Sequence, residues 1–176
     1  MKRLLLSAML AVVPLVSFAQ GSLLKPFYEI VSVEVNDVRI SVFDMPEGDI
    51  HQYYINLGTL GFGDDFIQVH LDPVSELFIP LGNTAADAQA KLEEFAELPK
   101  SPEGTEIQTE GILAIANPTM GETEPVYVTS RRFLFDRIAE FSVRRDGYVR
   151  ATHISRSNLR SLISGVKFHR KLHPDN

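Results

Sequence analysis

The sequence predicts an α+β fold, in which an antiparallel, mostly meandering β-sheet of about seven to nine strands is packed by one amphipathic helix. Runs in which apolar and polar residues alternate, separated by turn residues, cover most of the chain and indicate strands with one face in the core. Helical periodicity appears at about residues 85–98, and a shorter pattern at about 158–164 predicts a second, short helix. The chain of 176 residues has no internal repeat and no linker-like segment, so we expect residues 20–176 to form a single domain.

The clearest element is a β-hairpin between residues 28 and 44. Apolar and polar residues alternate on both sides of Asn36-Asp37, two residue types that tolerate the positive φ of a tight turn. The predicted apolar pairs are Val35 with Val38, Val33 with Ile40 and Val31 with Val42. The other face fits the same register, because Glu34 then lies opposite Arg39.

Between this hairpin and the helix, three short apolar runs predict strands. They span residues 50–57, 66–71 and 76–81. A glycine-rich joint at 58–63 separates the first two. Thr84 is the predicted N-cap of the long helix, with Asp87 in capping-box spacing, and Pro99 stops the helix. An amphipathic helix of about four turns on one face of the sheet follows from this pattern.

The second half of the chain has the pattern of several consecutive strands. The predicted strands are 106–116, 126–135, 137–144 and 148–154. For the link at 145–147 we predict a three-residue hairpin, which opposes Val143 to Val149. A two-residue turn would oppose Val143 to Arg150 and place a charged residue on the apolar face.

The sequence allows two positions for the end of the C-terminal helix. Ser157 is its predicted cap, and Gly165 marks its predicted end. Residues 166–172 fit either an edge strand or a continuation of the helix.

The first 19 residues have the features of a secretory signal peptide. Lys2 and Arg3 precede an apolar run interrupted by Pro14, and Ala19 ends a small-residue cleavage site. The apolar run is shorter than the ~20 residues that span a bilayer. We therefore expect cleavage after Ala19, a mature chain without a transmembrane segment, and export to the bacterial periplasm or the extracellular space.

Composition narrows the possible functions. The absence of cysteine excludes disulfides, Cys-ligated metals and thiol nucleophiles. The formal net charge is −6, but residues 20–130 carry four basic and 19 acidic residues, whereas residues 131–176 carry 11 basic and four acidic ones. Such asymmetry marks either a surface for an anionic partner or strands that pair with acidic neighbours inside one fold.

Several motif-like patterns carry no functional prediction. The glycine run at 58–63 lacks the order of a dinucleotide fingerprint, and Ser164 with Lys167 lacks the companion motifs of serine acyl-enzymes. His169 and His173 share a helical face without a third ligand and are interpreted as surface histidines. No catalytic residue, metal ligand or cofactor is predicted.

The densest candidate site is a group of arginines on the predicted C-terminal strands. The candidate ligand-binding residues are Arg131, Arg132, Arg144, Tyr148, Arg150 and His153. Arg144 and Arg150 are expected on one polar face beside Tyr148, an arrangement suited to carboxylate, phosphate or sulfate groups. The alternative is a strand face whose arginines are solvated or paired with acids.

The sequence favours a non-enzymatic binding or interaction module that uses this basic strand face. Expected partners are an anionic glycan, another envelope component or a protein, and not nucleic acid, because the mature chain is acidic. One alternative is a small envelope hydrolase whose Asp, Glu and His groups meet only in the fold. Another is an inhibitor or accessory subunit that docks through a sheet edge.

Overall fold

The computed structural model describes residues 27–35, 37–62, 75–145 and 148–173. The predicted signal peptide, the predicted strand at 66–71 and the centre of the 145–147 link lie outside these ranges. Within them the chain is α+β, with one antiparallel meander sheet and two helices packed against it, as the sequence predicts.

The elements are numbered in chain order. The strands are β1 (Tyr28–Val35), β2 (Val38–Asp44), β3 (Tyr53–Thr59), β4 (Gly61–Phe62), β5 (Glu76–Gly82), β6 (Glu106–Ala114), β7 (Glu122–Phe133), β8 (Asp136–Arg145) and β9 (Tyr148–Ser155). The helices are α1 (Ala85–Glu97), which continues as a 3-10 turn (Leu98–Lys100), and α2 (Arg156–Leu172). A second 3-10 turn (Pro118–Met120) connects β6 to β7.

The sheet curls so that β9, its last long strand, lies close to β3. The strand order is β1-β2-β3-β5-β6-β7-β8-β9-β4. Only Leu60 separates β3 from β4, so these two strands lie within ~7 Å of each other. Because β4 pairs with β9, the sheet must bend to bring β9 close to β3. Helix α2 contacts β1 and β2 near one end of the sheet and β8 and β9 near the other.

The predicted β1–β2 hairpin is confirmed with its register. Val35 pairs with Val38, Val33 with Ile40 and Val31 with Val42. Asp37, in the turn, has a φ of 63°, as expected for a residue type that tolerates the left-handed region.

The predicted N-terminus of the long helix is also confirmed. The Thr84 hydroxyl accepts a hydrogen bond from the Asp87 backbone N–H at 3.0 Å and donates one to the Asp87 carboxylate at 2.7 Å. Leu92 and Phe95 of α1 are fully buried, and each contributes about 1.5–3 kcal/mol of hydrophobic stabilisation.

The second helix is longer than predicted. It spans 17 residues and begins one position after Ser155, whose hydroxyl accepts a hydrogen bond from the Asn158 N–H at 3.2 Å, so Ser157 is not the cap. Gly165 does not end the helix: an added Cβ would lie 2.5 Å from Val31, so the glycine permits close packing of α2 on β1. The open alternatives for residues 166–172 resolve as helix.

The predicted register between β8 and β9 is wrong. Val143 pairs with Arg150, not with Val149, and Arg145 pairs with Tyr148. The reason lies further along β9, where fully buried Ile154 sets which residues face inward. Because side chains alternate along a strand, Val149 then faces outward and is exposed.

The main core lies between the curled sheet and the helices. Its aliphatic and aromatic members include Val42, Ile55, Leu57, Leu77, Ile79, Leu92, Phe95, Val128, Phe141, Ile154, Leu159, Leu162 and Val166. A smaller apolar cluster occupies the opposite face of β2, β3, β5 and β6, with Phe43, Met45, Tyr54, Phe78 and Ala114 as its members.

Candidate functional site

The two arginines expected side by side lie on opposite faces of the sheet. Arg144 pairs with Val149, while Arg150 pairs with Val143, whose side chain belongs to the main core. Residues directly opposite in antiparallel strands share a face. The prediction of a common Arg144–Arg150 face is therefore wrong, and the register error is its cause.

Arg144 is held by acidic and aromatic neighbours. Its guanidinium donates to the Glu106 carboxylate at 2.5 Å and lies over the Tyr127 ring, 4.0 Å from the centroid. The hydrogen bond from Arg144 lowers the pKa of Glu106. Arg131 donates to Glu140 at 3.1 Å. For these arginines the structure corresponds to the alternative of an acid-paired strand face.

Two further candidates lie near these strands. His153 faces outward opposite Glu140, half-buried, with its ring centroid 5.0 Å from that of Phe133. The backbone of Tyr148 pairs with Arg145, and its side chain is not among those described.

The β7–β8 turn presents three consecutive apolar side chains to solvent. Phe133, Leu134 and Phe135 are 44, 76 and 96% exposed. Phe133 pairs with Asp136, so Leu134 and Phe135 form a two-residue turn. Such turns favour Asn-Gly or similar pairs, because they need positive φ. Leu134 instead adopts a φ of 54°, a strained conformation for a residue of this type.

Basic residues surround this apolar tip. Arg132 lies directly opposite Arg137 in the β7–β8 ladder, an arrangement that is unfavourable for like charges. Arg137 donates to the Ser101 carbonyl at 2.8 Å. Within the described ranges no acidic side chain pairs with Arg132. We name Arg131–Arg137 with its apolar turn the hairpin tip.

The fold also assembles a group that the sequence did not reveal. Asp44, at the end of β2, is almost fully buried, and its Oδ2 lies 2.7 Å from Nδ1 of His51. The ring of His51 stacks on Tyr53 at 6.3 Å, and the ring of His169, from the last turn of α2, lies 6.4 Å from Tyr53 on centroids. His173 follows at 4.7 Å from His169. We name these five residues the histidine cluster.

The histidine cluster contains buried polar atoms without partners. Six buried side-chain nitrogen or oxygen atoms of the described residues lack a hydrogen-bond partner, and three of them are Asp44 Oδ1, Tyr53 Oη and His169 Nε2. Burial, followed by the nearby Asp44 carboxylate, raises the pKa of Tyr53 to about 12. Burial, followed by the neighbouring His173, lowers the pKa of His169.

The histidine cluster could not be predicted from the sequence, because its residues are far apart in the chain. More than 100 residues separate Asp44 and His51 from His169, and neither segment has a motif. The spacing of His169 and His173 was the one available signal. The interpretation of both as surface residues is correct for His173, which is exposed, and wrong for His169, which is partly buried.

A shallow groove of about 370 Å³ lies on β6 and β7, away from both sites. It is lined by Gln108, Thr109, Glu110, Thr123, Glu124 and Pro125. Its two glutamates make it unsuitable for an anionic ligand.

The chain matches no protein-family model, no curated protein and no solved structure. Neither helix of the described ranges is long and apolar enough to span a bilayer.

Proposed function

We propose that this protein is an exported, non-enzymatic binding module that docks on an anionic lipid surface through its hairpin tip. The observation that carries the proposal is the exposed Phe133-Leu134-Phe135 turn. An anionic envelope partner remains the expected partner. The proposed contact lies at the end of the β7–β8 hairpin and not on the face that contains Arg144.

The apolar turn supplies the hydrophobic part of the interaction. Removal of a Phe or Leu side chain from water contributes about 1.5–3 kcal/mol when it is complete. Leu134 has a φ of 54° in a turn that is exposed to water. This conformation costs about 1–2 kcal/mol, and the exposed side chain makes no packing contact within the fold that would offset the cost. Insertion of the turn into a lipid surface accounts for that choice of residues.

The arginines at the hairpin tip supply the electrostatic part. A basic residue close to an anionic membrane contributes about 1 kcal/mol. An anionic surface would also relieve the repulsion between Arg132 and Arg137, which face each other across the ladder. The start of α2 lies near the base of the tip, since Ser155, the residue before α2, pairs with Ile138.

Together these terms predict weak, reversible binding that decreases with salt. Apolar contact by three side chains resembles a single lipid chain in strength, which alone gives marginal anchoring. The charged contribution is screened within about 8 Å at physiological ionic strength. Export, which rests on residues 1–19, would bring the protein to the envelope, where such surfaces occur.

Sedimentation with lipid vesicles tests the proposal. The chain without residues 1–19 should sediment with vesicles rich in phosphatidylglycerol and much less with pure phosphatidylcholine vesicles. Phe135→Ser should reduce binding to the anionic vesicles about tenfold or more. Met120→Ser is the matched control, because Met120 is 72% exposed in the β6–β7 connection.

A second pair of variants separates the hairpin tip from the rest of the basic strands. Arg132→Gln should weaken binding and its salt dependence, whereas Arg144→Gln should not, although both remove one charge. Arg144 lies seven residues along β8 from Arg137, about 23 Å away. Equal loss of binding in the two charge variants, or none in Phe135→Ser, would reject the hairpin tip as the docking site.

A hydrolase is the second candidate function, because the fold pairs a buried Asp44 with His51. A carboxylate that holds Nδ1 of an imidazole leaves Nε2 for proton transfer, and the His51 side chain is 21% exposed. Turnover of activated carboxyl or phosphate esters that is lost in His51→Ala and kept in His153→Ala would support it. Absence of turnover above the uncatalysed rate would remove it.

A further inference from the structure

The histidine cluster joins the end of α2 to one end of the interior strands β2 and β3. Asp44 and Tyr53 are opposite each other in β2 and β3, and His51 lies in the connection between them. His169 and His173 come from the C-terminal end of α2. The ring contacts between Tyr53, His169 and His51 therefore hold the last turn of the helix on the sheet.

We propose that the histidine cluster is an acid-sensitive clasp, which holds the last turn of α2 on the sheet at neutral pH and releases it at mildly acidic pH. This inference does not depend on lipid binding. It rests on the position of three imidazoles around one buried carboxylate.

The charges around His169 explain why protonation opposes docking. From β2, Asp44 faces the ring, but its carboxylate is already hydrogen-bonded to His51. From β3 comes the phenol of Tyr53, and from the β2–β3 connection comes His51. From α2 itself comes His173, whose ring centroid lies 4.7 Å from that of His169. Acid therefore adds positive charge to a site that has a single carboxylate.

The neighbouring helix does not supply a second carboxylate to His169. Glu93 of α1 is bound to Lys167 at 3.0 Å and accepts from Gln89 at 2.9 Å. The negative end of the α2 dipole favours cations in this turn by about 0.3–1 kcal/mol. Burial of the ring and the neighbouring His173 act in the opposite direction and lower the pKa of His169.

The geometry of the histidine cluster favours a proton over a metal ion as its ligand. The described residues contain no group of three or more histidines and carboxylates placed to hold a metal. The unpartnered Oδ1 of Asp44 and Nε2 of His169 are instead groups that exchange protons. A change of protonation alters their hydrogen-bonding roles without any other ligand.

The release should affect the part of the sheet that α2 covers. Gly165 packs on Val31 of β1, and the N-terminal end of α2 follows β9 directly. Loss of the last turn would free the ring of Tyr53 in β3, while the earlier turns stay anchored by Leu159, Leu162 and Val166, which are fully buried.

Amide hydrogen exchange of the whole chain at pH 7.5 and pH 5.0, corrected for the intrinsic rates, tests the clasp. Protection of residues 169–172 should fall about tenfold or more at pH 5.0 relative to protection in the middle of α1. Histidine ring resonances recorded over the same range should show His169 titrating below the ordinary imidazole pKa. Equal loss of protection in α1 and α2, or none in either, would overturn the proposal.

Two variants identify the responsible ring. His169→Phe keeps the aromatic contact with Tyr53 and removes the proton site, so residues 169–172 should keep their protection at pH 5.0. His153→Phe is the control and should behave as the wild type does. If His169→Phe does not fold, the wild-type exchange and titration data still decide the proposal.

Discussion

At the scale of single residues, Leu134 shows where the chain departs from ordinary turn chemistry. A turn with positive φ normally contains Gly, Asn or Asp, yet Leu134 has a φ of 54°. Its side chain contributes little to the core, because it is largely exposed. The residue therefore lowers the stability of the isolated protein, and we ascribe its presence to binding.

We predict that Leu134→Asn stabilises the protein and weakens its binding. Asparagine tolerates the left-handed region, so the free energy of unfolding should rise by about 0.5–1 kcal/mol. Thermal denaturation should show a higher Tm, while sedimentation with anionic vesicles should show reduced binding. A lower Tm together with unchanged binding would contradict the role given to this residue.

Tyr53 gives a second prediction at this scale. Its hydroxyl is buried without a partner, and burial raises its pKa to about 12, compared with about 10 in an unfolded chain. Between these values the unfolded state loses the phenolic proton first, so stability should decrease as the pH rises from about 10 to 12.

Tyr53→Phe should remove this part of the alkaline loss of stability. Near pH 7 the substitution should be neutral or stabilising by up to about 1–3 kcal/mol, because it removes a buried hydroxyl that has no partner. Chemical denaturation at pH 7, 10 and 11 measures both effects. A large loss of stability at pH 7 would show that the Tyr53 hydroxyl makes a contact which the described atoms do not show.

At the scale of elements, the length of α2 depends on one close contact. Gly165 places the helix so near to β1 that a Cβ would lie 2.5 Å from Val31. Glycine is a poor helix former, and this property suggested that the helix ends there. Packing against β1 outweighs the low helix propensity of Gly165. This balance cannot be inferred from the sequence, because the sequence does not show that β1 lies beneath the helix.

We predict that Gly165→Ala destabilises the protein, although alanine is the better helix former. The gain in helix propensity of about 1 kcal/mol should be exceeded by overpacking of about 1–3 kcal/mol against Val31. Ser164→Ala, at the preceding position and exposed, is the control and should be neutral or slightly stabilising. Urea denaturation of both variants measures the difference, and equal stabilisation by the two would contradict close packing of α2 on β1.

The elements also show why some predictions from sequence succeed. The β1–β2 register and the Thr84 cap depend on residues within a few positions of each other, so local pattern is sufficient. The β8–β9 register depends on which residues of β9 face inward, and buried Ile154 decides this. The burial of Ile154 cannot be inferred from the residues near the β8–β9 turn. The predicted common face of Arg144 and Arg150 was wrong for the same reason.

At the scale of the whole molecule, the fold explains part of the charge asymmetry. Acidic residues of β6 and β7 lie next to arginines of β8: Glu106 pairs with Arg144, and Glu122 and Glu124 pair with Arg145. Part of the positive charge of the basic segment is therefore neutralised by the acidic segment within one sheet. The hairpin tip stands out from this pattern, because Arg132 and Arg137 face each other there.

The curl of the sheet and the histidine cluster are the features that the sequence did not predict. Both depend on contacts between distant segments: β4 with β9, and the β2–β3 connection with the end of α2. α2 runs about 25 Å from the base of the hairpin tip to the histidine cluster, so one helix connects the two proposed functional regions.

A tryptophan at the hairpin tip tests the lipid-docking proposal most directly. The chain contains no tryptophan, so Phe135→Trp places a single fluorophore at the proposed point of insertion, and Phe168→Trp, on the exposed face of α2, serves as the reference. With phosphatidylglycerol vesicles, the emission of the Phe135→Trp variant should shift to shorter wavelength and become protected from aqueous quenchers, while that of the Phe168→Trp variant should remain as in buffer. Unshifted, fully quenchable emission from a Phe135→Trp protein that sediments with the vesicles would show that the hairpin tip does not enter the membrane.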